Sequence, residues 1–363
     1  MTIDAVRTGY APLAMAQPMR TAIHEVRDTH NAIVEISADG LTGQGAALTL
    51  TPGQGRAVCA VAAELGRALV GQRLGEPSAR RNIMLRQLNL TGRTGIGLLA
   101  VAAIDTALWD LAAQVADVPL YQLLGGTSRS LPVYAQPGWL SLPVEDVIDE
   151  ALSFVEQGFR HYKMRVGSAD WRQDVQRVLA VREALPAGVG LLVDANQGWS
   201  PSRAMEACQV LDDLGLYWIE DPVDALDFDG CAAVAAAINT PIAAGETLFG
   251  RRELLRLVEA RAAGVLMPDL QHCGGPSGFI EVLRDPAFAS VRISNHLFVE
   301  ASIHLLAACP NAEIIEMMPG WWDDLFDRPL DIVDGTLRPP DEPGIGYRFS
   351  ERVRRFLTDV SNF

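Results

Sequence analysis

Residues 161–196, HYKMRVGSADWRQDVQRVLAVREALPAGVGLLVDAN, contain the pattern that decides the fold. A short apolar strand, HYKMRV, is followed by residues 170–184 with the apolar spacing of an amphipathic helix, and a second apolar strand, GLLVDA, begins at Gly190. A strand, a helix and another buried strand form a βαβ unit, in which the two strands lie parallel in the same sheet. The same alternation extends in both directions along the chain.

Eight such strands follow one another, and seven helices lie between them. The strands read LPVYAQ, HYKMRV, GLLVDA, LYWIE, TPIAAGE, AGVLMPD, SVRISN and AEIIEM, and the helices are predicted to begin near residues 145, 170, 201, 227, 250, 276 and 299. This is about the number of units that a closed barrel needs. We therefore predict an α/β fold with a (β/α)8 TIM barrel as the catalytic domain over residues 129–320.

The segment before the barrel has a different pattern. Residues 1 to about 50 alternate like strands, as in AIVEISADGLTGQGAA, where Asp39-Gly40 and Thr42-Gly43 are predicted hairpin connections. Residues 54–118 have helical spacing and are rich in Ala and Leu. Strands followed by helices predict an α+β capping domain over residues 1–128. The Pro-containing tail, residues 321–363, is predicted to return to this domain and complete it.

Composition narrows the class of partner. The net charge of −15 and the pI near 4.8 argue against nucleic acid and anionic membranes, which both require a basic face. A small molecule is the expected partner. The five cysteines have no CxxC spacing, so neither a disulfide framework nor a zinc–cysteine site is indicated. The N-terminus lacks a signal-peptide pattern, and no run reaches the roughly 18 apolar residues of a membrane span, so we expect a soluble, cytoplasmic protein.

Polar residues at the ends of the predicted strands form the candidate site, since barrel loops at the carboxyl ends of the strands share one mouth. Asp194, Glu220 and Glu246 end consecutive units and lie 26 residues apart, so they should converge. Three carboxylates that close cannot all stay ionised without a counter-ion. An all-oxygen set suits a hard divalent cation, and Mg²⁺ is the first choice.

Three further features complete the candidate site. His296 and Asp269 end neighbouring strands, and an imidazole oriented by a carboxylate is a usable acid or base near neutral pH. Lys163 and Arg165 are two cations on one buried strand, which is costly unless an anion compensates them. Glu316 is the polar residue of the last strand.

At these residues the sequence resembles the enolase superfamily, and within it the mandelate racemase group. The motifs VDANQGW, WIEDP and AAGET resemble the three metal-ligand strands of the family, and EIIEM resembles the strand that bears its last acid, Glu316. MPDLQHCGG and SNHLFVEASIHLLAACP resemble the segments of the Asp–His dyad, here Asp269 and His296. The resemblance implies a cap over the barrel and Mg²⁺ held by Asp194, Glu220 and Glu246.

The resemblance also implies the reaction class, which is abstraction of the proton α to a substrate carboxylate through an enediolate. Mg²⁺, Lys163 and Arg165 would supply the positive charge that a dianionic intermediate needs. Glu316, expected to be protonated among so many anions, would donate a hydrogen bond to the substrate carboxylate.

Arg165 departs from the family pattern, which usually has Lys-x-Lys at Lys163 and Arg165, the second lysine being a base on the face opposite the histidine. A guanidinium keeps its proton above a pKa of about 12 and is therefore a poor general base. A racemase needs acid–base groups on both faces of the α-carbon, so Arg165 weakens that mechanism. Lys163 keeps a possible role as base.

The leading hypothesis is therefore a Mg²⁺-dependent lyase, an acid-sugar dehydratase that converts an aldonate or aldarate to a 2-keto-3-deoxy acid with the His296–Asp269 dyad as acid and base. The alternatives are an isomerase, namely a racemase or epimerase of an α-hydroxy or other α-substituted carboxylate, and a non-catalytic metal-binding barrel. Arg20 and Thr49 in the cap loops and Asn196 beside the metal ligands are predicted to contact the substrate. The resemblance implies a homo-oligomer.

Overall fold

An antiparallel sheet begins the chain in the computed structural model, which describes residues 1–321 and 323–362 except for the side chains of Ala16, Gln17 and Asn362. Its strands are β1 (Ala5–Arg20), β2 (Glu25–Ala38) and β3 (Leu41–Thr49). Asp39 and Gly40 connect β2 to β3 with φ of 49° and 82°, as a type I′ turn requires, so that predicted hairpin is confirmed.

The second predicted turn, Thr42-Gly43, is wrong, because both residues lie inside β3. Gly43 serves packing instead: a Cβ at this position would lie 2.0 Å from the carbonyl oxygen of Ala107. The strand can therefore approach a cap helix closely at this point.

Four helices follow this sheet: α1 (Pro52–Arg67), α2 (Pro77–Gln87), α3 (Gly95–Val115) and α4 (Leu120–Leu123). Helices α1 and α3 pack on the sheet, and α2 and α4 pack against α3. By length and composition alone α3 could cross a membrane, which the search for apolar runs in the sequence did not anticipate. Its most apolar 18-residue window is 78% buried within the protein. It is the central core helix of the cap, buried between β3, α1 and α2.

The barrel contains eight parallel strands, and each predicted strand is present, although the later ones are shorter than predicted. They are β4 (Leu131–Ala135), β5 (His161–Arg165), β6 (Gly190–Asp194), β7 (Trp218–Glu220), β8 (Ile242–Ala244), β9 (Val265–Leu266), β10 (Arg292–Ile293) and β11 (Ile315–Met317). The helices between them are α5 (Val144–Glu156), α6 (Trp171–Ala184), α7 (Pro201–Leu211), α8 (Phe228–Ala237), α9 (Gly250–Glu259), α10 (Pro276–Leu283) and α11 (Val299–Ala307).

Neighbouring strands pair in chain order from β4 to β10. β11 pairs with β4, and a parallel bridge between Ile293 and Ala312 joins β10 to the residues before β11, so the barrel closes. The predicted (β/α)8 barrel with an N-terminal cap is therefore confirmed.

The tail contacts both parts of the molecule. The hairpin of β12 (Ile332–Val333) and β13 (Thr336–Leu337) pairs with the first two residues of β4, Leu131 and Pro132, which the sequence did not predict. After α12 (Glu351–Arg354), β14 (Thr358–Asp359) pairs with β1 of the cap. The exact domain limits at residues 128 and 320 stay predictions.

Strand alternation sorts the barrel side chains into an inner and an outer layer. On β5, Tyr162 and Met164 point outward into the core between strands and helices, so Lys163 and Arg165 point inward. The inner floor is an apolar cluster that includes Leu192 and Trp218. The inward polar residues at the strand ends lie above that floor and below the cap.

Candidate functional site

Strand register brings the polar residues to one level. Arg165 pairs with Asp194 across β5 and β6, and Asp194 pairs with Glu220 across β6 and β7. Glu246 lies two residues after the end of β8. The residue between them, Gly245, has a φ of 123°, which glycine adopts without strain and other residues do not. Because the strands are parallel and in register, these side chains share one end of the barrel.

Asp194, Glu220 and Glu246 form a buried carboxylate cluster, in which one oxygen from each lies within 4.8 Å of the others. Among the described residues this is the one group of metal-ligating side chains that meets such a criterion. Burial and the Asp194 carboxylate raise the pKa of Glu220 well above its usual range. Three converging carboxylate oxygens are the donors that Mg²⁺ prefers, so the residues fit the predicted ion.

Lys163 is the only lysine in the sequence; every other basic side chain, apart from the histidines, is an arginine. Its Nζ donates to Glu220 at 2.6 Å and to Glu316 at 3.0 Å, and lies 3.4 Å from Asp194. Burial by itself lowers the pKa of Lys163, but these carboxylates outweigh burial and raise it. In this arrangement Lys163 holds its proton and acts as a fixed positive charge.

Arg165 is held on three sides. Its Nη1 donates to Asp194 Oδ2 at 2.5 Å, its Nη2 donates to Gln136 Oε1, and its guanidinium lies 5.0 Å from the ring centroid of Trp139. Burial by itself lowers the pKa of Arg165, but Asp194 and the neighbouring carboxylates outweigh burial and raise the pKa above its usual value. This environment agrees with the prediction that Arg165 is not a general base.

His296 and Asp269 form the predicted pair, with 2.7 Å between Nδ1 and Oδ2. Because a carboxylate can only accept, Nδ1 carries the proton of this bond. The Nε2 atom lies 3.5 Å from Glu246. Burial lowers the pKa of His296, but Glu246, Asp269 and Glu316 outweigh it and raise the value to about 10.

Glu316 differs from its expected protonation state. It accepts hydrogen bonds from Lys163, from the Tyr134 hydroxyl at 2.7 Å and from the Leu297 N–H at 3.0 Å. Burial raises its pKa, but Lys163 and the other positive and donor groups lower it below the usual value. Glu316 is therefore ionised in this structure, and the prediction of a protonated donor is wrong.

The loop after β9, residues 269–275, connects the dyad to the cap. The N–H groups of Gln271 and His272 donate to Asp269 Oδ1 at 2.7 and 2.9 Å. From the cap, the Leu48 N–H donates to Gln271 Oε1 at 2.9 Å, and Arg81 donates to the carbonyl oxygens of Cys273 and Gly274. The cap therefore fixes the loop that orients the dyad carboxylate.

The three predicted substrate contacts have different outcomes. Asn196 is buried next to the cluster and donates from Nδ2 to Asp194 Oδ2 at 3.1 Å, so it lies at the site. Thr49 is buried in the cap, where its hydroxyl donates to the carbonyl oxygen of His30 at 3.0 Å, and its contact with substrate stays a prediction. Arg20 lies in the exposed segment at the end of β1, and its contact with substrate stays a prediction.

The face of the cap above the barrel mouth carries buried apolar side chains. Leu13 and Met19 of β1 are buried in one cluster with Trp139, Leu297 and Trp321. Trp321 and Trp322 follow the last barrel strand, and the sequence leaves open whether they line the mouth or pack the returning tail; Trp322 lies outside the described residues. The cap therefore covers the mouth with apolar side chains, and the polar contacts come from the strand ends.

Sequence reasoning missed several residues of the site. Gln136, Trp139 and Tyr134 all belong to β4 or the loop after it, and Gln271 and Asn295 fix the two dyad loops. Gln136 immediately follows the first barrel strand, so the strand-end rule that identified Asp194 could also have found it.

The comparisons with known proteins cover both parts of the chain. Residues 5–125 match the model of the mandelate racemase/muconate lactonizing enzyme N-terminal domain, and residues 146–353 match the enolase C-terminal domain-like model. L-talarate/galactarate dehydratase of Salmonella typhimurium is 34% identical over 336 residues, 91% of this chain and 83% of the relative. L-Lys-D/L-Arg epimerase of Methylococcus capsulatus is 31% identical over 361 residues, 95% of this chain and 98% of the relative.

Among solved structures, L-talarate dehydratase from Polaromonas sp. JS666, complexed with Mg and L-glucarate, superposes with a TM-score of 0.92. The two chains are 33% identical, and the aligned region covers 98% of this chain and 97% of the Polaromonas chain. Both the cap and the barrel of this chain are therefore similar in architecture to those of this L-talarate dehydratase.

Proposed function

The chain belongs to the mandelate racemase/muconate lactonizing enzyme family of the enolase superfamily, and on that basis we propose that it is a Mg²⁺-dependent dehydratase of sugar acids. The substrate class is a small carboxylic acid with hydroxyl groups on the α- and β-carbons. Similarity to a talarate/galactarate dehydratase supports this class, and similarity to an epimerase keeps the family's isomerases as the competing outcome.

One observation supports the proposal: among the described residues of the site, the side chains suited to proton transfer lie on one side of the barrel mouth, at His296 and Asp269. The His296–Asp269 dyad lies at the ends of β9 and β10, whereas β5 on the far side of the barrel presents a guanidinium held by Asp194 and Gln136. Lys163, the other residue of β5 that could accept a proton, is locked among carboxylates that keep it charged. Inversion at the α-carbon needs a second proton carrier, but elimination on one face does not.

The residues divide the reaction between them. Neutral His296 accepts the α-proton through Nε2, and Asp269 stabilises the imidazolium that forms. The same imidazolium then returns the proton to the β-hydroxyl, the carbon–oxygen bond breaks, and water leaves. The resulting enol tautomerises to a 2-keto-3-deoxy acid, so no other reactant is needed.

Charge around the substrate comes from several groups. When bound at Asp194, Glu220 and Glu246, Mg²⁺ supplies positive charge that stabilises the carboxylate as it gains electron density. Lys163 adds a fixed ammonium beside Glu220 and Glu316. Glu246 is the carboxylate that raises the pKa of His296 most, so neutralising its charge moves His296 towards the range that a base needs.

The experiment is a panel of aldonic and aldaric acids, starting with galactarate and talarate, incubated with the protein and MgCl2. Formation of 2-keto acid is followed spectroscopically, and α-proton exchange is followed by NMR in 2H2O. We expect keto acid from at least one member and none from the His296→Asn variant. Exchange from both epimers without keto acid would instead establish an epimerase, and no reaction in either assay would overturn the proposal.

We also propose a homo-oligomer in the cytoplasm. All five cysteines are free and buried, which suits a reducing compartment. Light scattering of the purified protein would measure the oligomeric state, and a monomeric mass would contradict this part.

A further inference from the structure

His272 lies between the loop that carries Glu246 and the loop that carries Asp269. Its Nδ1 atom is 2.6 Å from the carbonyl oxygen of Glu246. A carbonyl oxygen only accepts, so Nδ1 must carry the proton of this bond. The backbone N–H of the same residue donates to Asp269 Oδ1 at 2.9 Å. One residue therefore bonds both to an acid of the carboxylate cluster and to the carboxylate of the dyad.

Two further contacts join the two loops at this residue. The Gly250 N–H donates to the carbonyl oxygen of His272 at 3.0 Å, and the ring of Phe249 lies against the imidazole with 4.6 Å between the ring centroids. Both partners lie at the beginning of α9, shortly after Glu246. The His272 side chain is 17% exposed, so water has little access to compete for its hydrogen bond.

Glu246 depends on such a contact more than the other two acids of the cluster do. Asp194 and Glu220 end β6 and β7, where they pair with each other and the sheet fixes their backbone. Glu246 lies beyond the end of β8, and the φ of 123° at Gly245 turns the chain out of the sheet just before it. The bond from His272 therefore holds the backbone of an acid that strand pairing does not hold.

Asp269 divides its two oxygens between the loop and the dyad imidazole. Oδ1 accepts from the N–H groups of Gln271 and His272, and Oδ2 lies 2.7 Å from Nδ1 of His296. Nδ1 of His272 is 3.9 Å from Asp269 Oδ1, which is too far for a hydrogen bond. The ring of His272 therefore does not compete with His296 for the carboxylate: its backbone helps to orient Asp269 while its ring holds Glu246.

We propose that His272 is a positioning residue that holds Glu246 and Asp269 in one fixed arrangement, so that the metal ligands and the acid–base dyad keep their relative geometry. His272 acts through these two residues, by its bonds to the backbone of one and the carboxylate of the other. Hydrogen-bonded partners that orient metal ligands typically change metal affinity or activity about 10–100-fold when they are replaced. The part of the inference that concerns the dyad rests on the proposed function, whereas the part that concerns Mg²⁺ does not.

Two substitutions separate the hydrogen bond from the bulk of the side chain. His272→Leu removes the donor, whereas His272→Asn keeps an N–H donor in the same place, because Nδ2 of Asn and Nδ1 of His are both bonded to Cγ. Calorimetry with MgCl2 measures Mg²⁺ affinity without substrate, and keto-acid formation at saturating MgCl2 gives kcat and KM. We expect His272→Leu to bind Mg²⁺ about tenfold more weakly and to lose about tenfold in kcat with little change in KM, and His272→Asn to restore most of both.

His304→Leu is the matched control, because His304 is a buried histidine whose Nε2 lies 2.9 Å from the carbonyl oxygen of Ile345, away from the cluster. It should lower the urea midpoint of unfolding and leave Mg²⁺ affinity unchanged. Equal losses in His272→Leu and His272→Asn, or Mg²⁺ affinity and kcat like those of the parent in both, would overturn the positioning role. Weaker Mg²⁺ binding that Asn restores, in a protein that dehydrates no acid, would support the role at Glu246 and overturn the proposed function instead.

Discussion

Replacing the single lysine gives the sharpest test of the site's electrostatics. Lys163→Met removes an ammonium that is 1% exposed and lies 2.6, 3.0 and 3.4 Å from oxygens of Glu220, Glu316 and Asp194. Methionine preserves most of the volume of the side chain, so the change acts mainly on charge. Removing one partner of a buried ion pair costs about 3–5 kcal/mol, because the remaining charge stays buried.

The cost should depend on pH with a defined sign. In the parent the pKa of Glu316 is lowered, so its contribution is present above the unfolded pKa of about 4.3 and constant from pH 5 to pH 8. In the variant, burial without Lys163 raises the pKa of these carboxyl groups, and the folded state then binds more protons than the unfolded state. Stability of the variant therefore falls as pH rises, and its deficit widens from pH 5 to pH 8.

Urea unfolding of parent and variant at pH 5, 6, 7 and 8, with and without MgCl2, measures both effects. MgCl2 should stabilise the variant more than the parent, since the ion replaces part of the missing charge. Arg27→Met is the matched control, because its exposed contact with Glu25 should matter little. A Lys163→Met variant as stable as the parent at pH 8, or a deficit that does not change with pH, would refute this account of the cluster.

Three further variants test the division of roles in the site. Arg165→Lys should create a second proton carrier, seen as new α-proton exchange in 2H2O; a variant with no new exchange would contradict the role given to Arg165. His296→Asn should lower keto-acid formation by at least about 10²-fold, within the range for general acid–base catalysis, while calorimetry shows that Mg²⁺ still binds. Gln271→Met leaves the Leu48 N–H unpaired and loosens the loop around Asp269, so kcat should fall about tenfold with little change in KM; Gln271→Glu keeps an acceptor and should restore most of the rate, and equal losses in both would refute the positioning role.

Much of the barrel was predictable because each βα unit is encoded locally. The apolar strand at residues 161–165 and the helix at 171–184 lie within one or two residues of the predicted positions, since periodicity and flanking turns specify each element independently. The later strands, such as Val265–Leu266, were predicted too long because pairing ends where the loop turns to form the site. The hairpin of β12 and β13 has a weak local pattern, and only its pairing with β4 makes it a strand.

Protonation was less predictable than position. The sequence placed Glu316 among acids and suggested a protonated carboxyl, but three donors converge on it from Lys163, Tyr134 and the Leu297 backbone. Those donors come from β4, β5 and the loop after β10, so no local pattern could show them. A pKa depends on all neighbouring charges and donors in space, and this information exists only after folding.

The sequence by itself determined the order of strands and helices, the identity of the strand-end residues and the replacement of a family lysine by Arg165. These features follow from local periodicity and from the rule that parallel strands gather their carboxyl ends at one mouth. Only the tertiary structure decided which polar atoms are satisfied: Thr49 is turned to backbone carbonyls in the cap, whereas Gln136 and Asn196 keep free ends beside Arg165. Hydrogen bonding and burial are relations between residues far apart in the chain, and for that reason the fold, not the sequence pattern, sets the chemistry of this site.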